Sequence, residues 1–433
     1  MDKIEKIFNK RKDNCSFNTS YPLDPSYWKA WKVNGTLDFA GENDISFYVH
    51  IPFCQSLCRF CEYVRYKNSD DAMQSRYLDI LANDMDAFIT RHNNTELVLH
   101  GLDIGGGTPT ALSEEPFSRL LDLINTRVQN ISRQPDYLGS IEATFSTITT
   151  EKIKKLEAHS SLIGRVSFGL QNVNPAFLKT YNRENGTFLH MQEVFDECRK
   201  HGIKVLNIDL MYGFPDQTEA DIRATMEVVK RLRPEHLTFY ELRTNMLAAC
   251  HTTSAEQRYL QYNLLYQLAV DMGYCGQFGR NTFSKVNDLG LSSYLHHRMI
   301  ANGSYKGFGI AAQSKTKQGL SYNIGKNNEG LQHCLSQETF ERCGDTYLLP
   351  PQEMLAKYLA ICGYCGYFDL RIVESILHED PLLRFSAVFD FLTKNQYISI
   401  ENGTVCITQS GFKYYGPILS LFYTQVITNE QRQ

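Results

Sequence analysis

Six short apolar runs, at residues 44–50, 97–104, 140–144, 164–170, 203–210 and 236–242, are each followed by a longer stretch with helical periodicity. Nothing else in the 433 residues constrains the fold as much. A strand that is regularly followed by a helix returns parallel to its predecessor, and such crossovers are right-handed. In the first run Ile45, Phe47 and Val49 share one face. The helical stretch after it places Tyr77, Leu78, Leu81, Met85 and Phe88 on one side, and Ser113-Glu114-Glu115-Pro116 opens another helix with a capping serine and an early proline. The units fit an open doubly wound sheet or a partial barrel. Their polar residues choose between these. Three cysteines follow the first run, Gly105-Gly106-Gly107-Thr108-Pro109 follows the second, and Glu142 lies within the third. Gln171, Asp209 and Tyr240-Glu241 stand at the ends of the last three. Six strand ends converging on one chemical site is barrel logic, whereas an open sheet concentrates chemistry at one switch point. The expected fold is α/β, a partial (β/α)6 TIM-like barrel over residues 44–272.

Residues 1–43 read as an N-terminal extension. Residues 273–349 are rich in Gly, Ser, Asn and Tyr and read as a connecting segment that extends the active-site region. From Pro350 the helical pattern resumes, and two β-forming runs, 397–401 and 404–408, flank Asn402-Gly403, a strong hairpin signal. Residues 350–433 are therefore expected to form a small α+β, winged-helix-like domain. Lys plus Arg number 44 against 48 Asp plus Glu, a formal charge of -4. That balance argues against a partner bound through phosphate neutralisation. The first residues are charged rather than signal-like, and no apolar run approaches the ~20 residues of a membrane span. A cytoplasmic monomer acting on a small molecule is expected, with no nucleic acid and no membrane.

Of twelve cysteines, Cys54, Cys58 and Cys61 form a tight C-x-x-x-C-x-x-C group. A structural zinc or a closed [4Fe–4S] cluster takes four protein ligands. Three thiolates leave one iron open for another molecule. The glycine run one unit later offers exposed backbone for a small polar ligand.

This cysteine spacing resembles the signature of radical S-adenosylmethionine (SAM) enzymes. Tyr48-Val-His50-Ile-Pro52-Phe53-Cys54 resembles the HemN-like subgroup, named for oxygen-independent coproporphyrinogen III oxidase. Further likenesses are Gly105-Gly-Gly-Thr-Pro109, Glu142, Arg165-Val-Ser-Phe-Gly-Leu-Gln171, Arg183, the stretch from Asp209 to Thr218, and residues 307–314. The resemblance runs from about residue 44 to 420. It implies that Cys54, Cys58 and Cys61 ligate three irons of a [4Fe–4S] cluster while SAM chelates the fourth. It implies that Phe60 shields the cluster and that Gly106, Gly107 and Thr108 hold the methionine part of SAM. Arg183 would pair with the carboxylate of SAM; Glu142, Gln171 and Asp209 would hydrogen-bond it; Tyr48 would lie on the cluster side. Tyr48 and Glu142 are the implied catalytic residues. A second SAM is implied near Ala311 and Gln313, and a flavodoxin or ferredoxin as electron donor.

Two departures bear on the reaction. Coproporphyrinogen oxidases carry a further cysteine two positions after the third, where this chain has Glu62-Tyr63. The stretch from Ser293 to Arg298 differs from the aromatic one found in haem-handling members. Both favour methyl or methylene transfer from a second SAM over oxidative decarboxylation of a tetrapyrrole propionate; a non-enzymatic haem or cluster chaperone is the third reading. Structural roles are expected for the other cysteines. These include Cys362-x-x-Cys365, for which an auxiliary cluster with Cys343 is the alternative. His50 is expected to brace the cysteine loop, and His296 and His297 to lie in a surface loop.

Overall fold

A computed structural model describes all residues except 1–2, 13–20, 23–24, 69, 93–95, 243–252, 328, 343 and 424–433. All six expected strands form: β1 Asp44–Ile51, β2 Val98–Gly106, β3 Ser140–Ala143, β4 Arg165–Gln171, β5 Val205–Tyr212 and β6 His236–Glu241. They pair in parallel and in sequential order. That order, with no reversal, is the winding of a barrel rather than of a doubly wound sheet. Helices α1 Asp71–Arg91, α2 Glu114–Val128, α3 Thr150–Ala158, α4 Phe188–Lys200, α5 Glu219–Leu232 and α6 Ala255–Asp271 follow the strands in turn. Their first turns are fixed locally. Asp70 accepts the Met73 amide ahead of α1, and Thr218 and Asp221 form a reciprocal capping box on α5.

The strands have two unlike faces. Ile45, Phe47, Val49, Ile51, Ile141, Val166, Phe168, Leu206, Ile208 and Leu237 are fully buried in the main apolar core. The alternate positions are polar: Tyr48 and His50, Asp103, Glu142, Arg165 and Ser167, Asp209, Thr238 and Tyr240. Parallel strands covered on both sides usually read as continuous apolar runs. Alternation here means that the concave side lines cavities instead of a packed interior.

Residues 273–349 add strands to the same sheet. β7 Thr282–Ser284 runs antiparallel to β6 and ends it on that side. On the other side β8 Ser304–Phe308 lies parallel to β1, with Gly307 opposite Tyr48. The antiparallel strands β9 Gln313–Lys315, β10 Gly319–Tyr322 and β11 Thr346–Leu348 continue outward to the two-residue strand Lys32–Val33. Among the described residues no strand pairs β7 with this flank. Beyond α7 Pro351–Cys362, three short strands and two helices build the winged-helix-like unit: Tyr367–Asp369, Ile398–Glu401 and Thr404–Ile407 with Leu370–Leu377 and Ser386–Lys394.

Candidate functional site

The loop after β1 is held by backbone. Tyr66 N donates to Pro52 O at 2.7 Å and Asn68 N to Cys54 O at 2.7 Å, pairing Phe53–Cys54 with Tyr66–Lys67. Arg65 Nη2 donates to Cys58 O at 2.6 Å, and Arg59 N reaches Tyr181 O at 3.0 Å. His50 Nε2 donates to Val64 O at 2.8 Å, which braces the far side of the loop and leaves Nδ1 to face the Tyr48 hydroxyl at 3.3 Å. Burial lowers the His50 pKa to about 4, so the ring is neutral.

Cys54, Cys58 and Cys61 line one cavity of about 190 Å³. Burial pushes the Cys54 thiol up to about 11 and raises that of Cys61. Thr108 Oγ1 lies 3.8 Å from Cys54 Sγ, and Arg183 Nη1 lies 3.8 Å from Cys58 Sγ. Phe60 packs edge-on against Phe214, with centroids 5.9 Å apart. Opposite the thiols, the ends of β2, β3, β4 and β5 contribute Gly106, Gly107, Glu142, Gln171 and Asp209. Gly106 takes φ +110°, and a Cβ there would strike the His50 ring. At Gly107 a Cβ would meet Ile51 O and Phe53 O at 2.8 Å. The Gly107 and Thr108 amides donate to those same two carbonyls. These glycines are required by close approach of the two loops.

Glu142 Oε2 accepts the Gly106 amide at 3.0 Å. Its accessible surface faces the cavity, and the enclosing protein, followed by the charge of Asp209, raises its pKa to about 8. Burial also raises Asp209, whose carboxylate accepts from Ser167 Oγ at 2.9 Å and Asn207 Nδ2 at 2.7 Å. Gln171 adopts φ +66°, and its buried Oε1 has no protein partner among the described residues. Arg183 is engaged with Gly169 O and with Asn185 Oδ1 at 3.2 Å, so its guanidinium faces a thiol and backbone.

A second cavity, about 390 Å³, adjoins the first; Glu62, Tyr63, Glu142, Ser167, Asp209 and Tyr240 line both. Tyr48, Ala311 and Gln313 line this second cavity. Ala311 has φ +57°, and Gln313 bonds Tyr305 and, at 2.6 Å, Tyr322. Sequence reasoning missed Asp103, Arg298, Lys326 and Lys357, which also line it. An aspartate inside an apolar strand was a signal for the first. His297 is not in a surface loop as expected: it is buried, with Nδ1 2.9 Å from Ser46 Oγ, while His296 is exposed.

No three His, Cys, Asp or Glu side chains among the described residues converge on one point, as a single metal ion requires. Three thiols spaced around a cavity suit a cluster in which each ligates a different iron. The orphaned Gln171 oxygen and the glycine cradle suit a polar ligand beside it. Cys362 and Cys365 are buried, and Cys343, proposed as their partner, lies outside the described residues, as do Cys15 and Cys250. Cys198 and Cys334 are buried as expected, but Cys275 is exposed and Cys406 half-buried, so neither is a packed core thiol.

Residues 48–229 match the radical SAM superfamily. The heme chaperone HemW of Bacillus subtilis (strain 168) is 28% identical over 381 residues, covering 84% of this chain and 96% of that protein. The oxygen-independent coproporphyrinogen III oxidase of Escherichia coli (strain K12) is 32% identical over 229 residues, 51% of this chain and 48% of that protein. The structure of coproporphyrinogen III oxidase (HemN) from Escherichia coli superposes with a TM-score of 0.74 at 21% identity, covering 95% of this chain and 98% of that one. The open barrel with its three-cysteine loop is thus that of a radical SAM protein. Within that superfamily the chain is similar to the HemW and HemN proteins and shares the HemN fold; radical SAM proteins use a [4Fe–4S] cluster and SAM. No helix among the described residues is long and apolar enough to cross a membrane.

Proposed function

We propose that the protein is an enzyme that makes a radical in the first cavity and delivers it to a second ligand in the adjoining one. The observation that carries this reading is the shared wall of the two cavities: Glu142, Asp209 and Tyr240 face both. Bound here, the cluster and SAM supply a 5′-deoxyadenosyl radical and methionine by one-electron cleavage of a sulfonium C–S bond. The chain's own residues do the rest. Cys54, Cys58 and Cys61 would hold the cluster, Gly106 and Gly107 admit the ligand to the backbone, and Gln171 offers an acceptor. Glu142 holds a proton that a cationic sulfonium beside it would displace, giving charge complementarity only when the ligand is bound; Asp209 places a second carboxyl on the same wall. Phe60, Phe214 and Tyr181 exclude water.

The second cavity lies in the range of about 300–1,000 Å³ that small-molecule ligands occupy. A second SAM, used as a methyl or methylene donor, agrees with its size and with Ala311 and Gln313 in its lining. Tetrapyrrole chemistry is the other reading, favoured by the likeness to a heme chaperone and a coproporphyrinogen III oxidase and by the cations Arg298, Lys326 and Lys357. Incubation with dithionite and methyl-deuterated SAM tests both. Free 5′-deoxyadenosine is the expected product in either case. Deuterium in it assigns the methyl donor, and label-free 5′-deoxyadenosine with decarboxylated coproporphyrinogen assigns the tetrapyrrole. No 5′-deoxyadenosine, with bound haem passed to an acceptor protein, would replace the enzyme by a chaperone.

A further inference from the structure

The second cavity contains two ionisable groups whose hydrogen bonding is incomplete. Arg298 enters it from the wide helical turn His296–Ile300. Its Nη1 donates to the Tyr294 hydroxyl at 3.3 Å, and its guanidinium lies 5.0 Å from the centroid of Tyr305. Its Nε is buried and has no partner among the described residues. Asp103 on β2 accepts from Ser292 Oγ at 2.8 Å through Oδ2, while Oδ1 is buried and likewise without a partner. No ion pair joins the two. Buried polar atoms are left unpaired rarely, and each costs free energy until something meets it.

A guanidinium presents a planar fork of donors that matches a carboxylate. Here that fork is framed by two tyrosine rings, and Lys326 and Lys357 add positive charge to the same cavity. We propose that Arg298 anchors a carboxylate of the ligand in the second cavity, and that Asp103 accepts a donor next to it. This rests on the two-cavity reading above. It gives a purpose to a stretch, Ser293 to Arg298, that the sequence marked only as a departure. Two sources offer such a carboxylate: the methionyl end of a second SAM, or an acid group of the substrate.

The test uses full-length protein with reconstituted cluster, as wild type, Arg298→Met and Arg298→Lys. Cluster absorbance and the melting temperature show whether the variants are folded. SAM binding is counted by equilibrium dialysis, and coproporphyrin III binding is followed by fluorescence. If a second SAM supplies the carboxylate, wild type takes two equivalents. Arg298→Met then weakens the second roughly 10- to 100-fold, the cost of a charge-assisted hydrogen bond, with the first unchanged. On wild type already holding one equivalent of SAM, decarboxylated SAM binds the second site with the same loss, so this arm stands even if the variant is unstable. If the substrate supplies it, wild type takes one equivalent. Coproporphyrin III then binds, and both Arg298→Met and the use of its tetramethyl ester weaken it. In either arm Arg298→Lys restores part of the affinity. Binding of both probes to Arg298→Met as to wild type overturns the anchor while 5′-deoxyadenosine formation upholds the proposed enzyme. Wild type that binds one SAM and no coproporphyrin III overturns the anchor as well. A normal anchor without any 5′-deoxyadenosine sinks the enzyme reading alone.

Discussion

Cys54 and Cys362 are both buried thiols with raised pKa values, so burial does not distinguish a ligand from a packed side chain. Their surroundings do. Cys54 shares a cavity with two other thiols, whereas Cys362 packs beside Tyr358 and Cys365 in the core. Cys54→Ala, Cys58→Ala and Cys61→Ala should each reduce iron and visible absorbance after anaerobic reconstitution to near zero, and Cys362→Ala should leave both intact. Equal loss in all four would mean that the triplet is not the cluster site. Glu142 gives a pH prediction. Its folded pKa of about 8 stands above the ordinary value of 4.5, so between those values the folded state binds more protons than the unfolded one. The contribution of this carboxyl to stability is therefore complete below about pH 4.5 and lost as pH rises toward 8 and beyond. Melting temperature of the cluster-free protein should fall across that window, and Glu142→Gln should flatten the fall. SAM binding should release protons at pH 7, read by calorimetry in buffers of different ionisation enthalpy.

At the scale of elements, the strands were legible because each alternates apolar residues for the helices with polar residues for the cavity. The helices were legible from their caps and periodicity. The flank from β8 to β11 was not. Its first strand, β8, pairs with β1 across more than 250 residues, and short runs such as Gln313–Lys315 carry no period of their own. The first cavity was readable for the same reason as the strands: its residues come from strand ends and one cysteine loop. The second was legible only in part, in Tyr48, Ala311 and Gln313; Arg298, Lys326 and Lys357 arrive from three segments far apart in sequence that only the folded chain brings together. The meeting of the β2 end with the cysteine loop is testable on its own. Gly107→Ala places a Cβ 2.8 Å from two backbone carbonyls, so the loops must separate. Such overpacking costs about 1–3 kcal/mol, and the bonds from Gly107 and Thr108 to the loop should weaken with it. The expected result is a folded protein, by circular dichroism, that takes up much less cluster than wild type. Full cluster loading would show that the contact does not set the loop.

The whole molecule closes the site from outside the barrel. Tyr364, just after α7, lines the first cavity and meets Tyr240 edge-on at 6.2 Å, while Lys357 of the same helix lines the second. That helix is pinned from behind by the N-terminal extension. The buried carboxylate of Glu353 accepts from Tyr21 at 2.5 Å and from Trp28 at 3.1 Å, and Lys357 Nζ donates to Tyr21 O at 3.0 Å. The outer segments of the chain thus hold a wall of the chamber in which a radical must be kept from water and oxygen. Tyr364→Ala removes the wall directly and should make the cluster bleach several-fold faster in air, with cluster content unchanged under nitrogen. Tyr21→Phe with Trp28→Phe acts at a distance. It leaves a buried carboxylate without its side-chain donors, which should cost about 3 kcal/mol, and the loosened helix should also speed bleaching. Bleaching at the wild-type rate in both variants would show that α7 is not the barrier, and that the barrel loops alone protect the cluster.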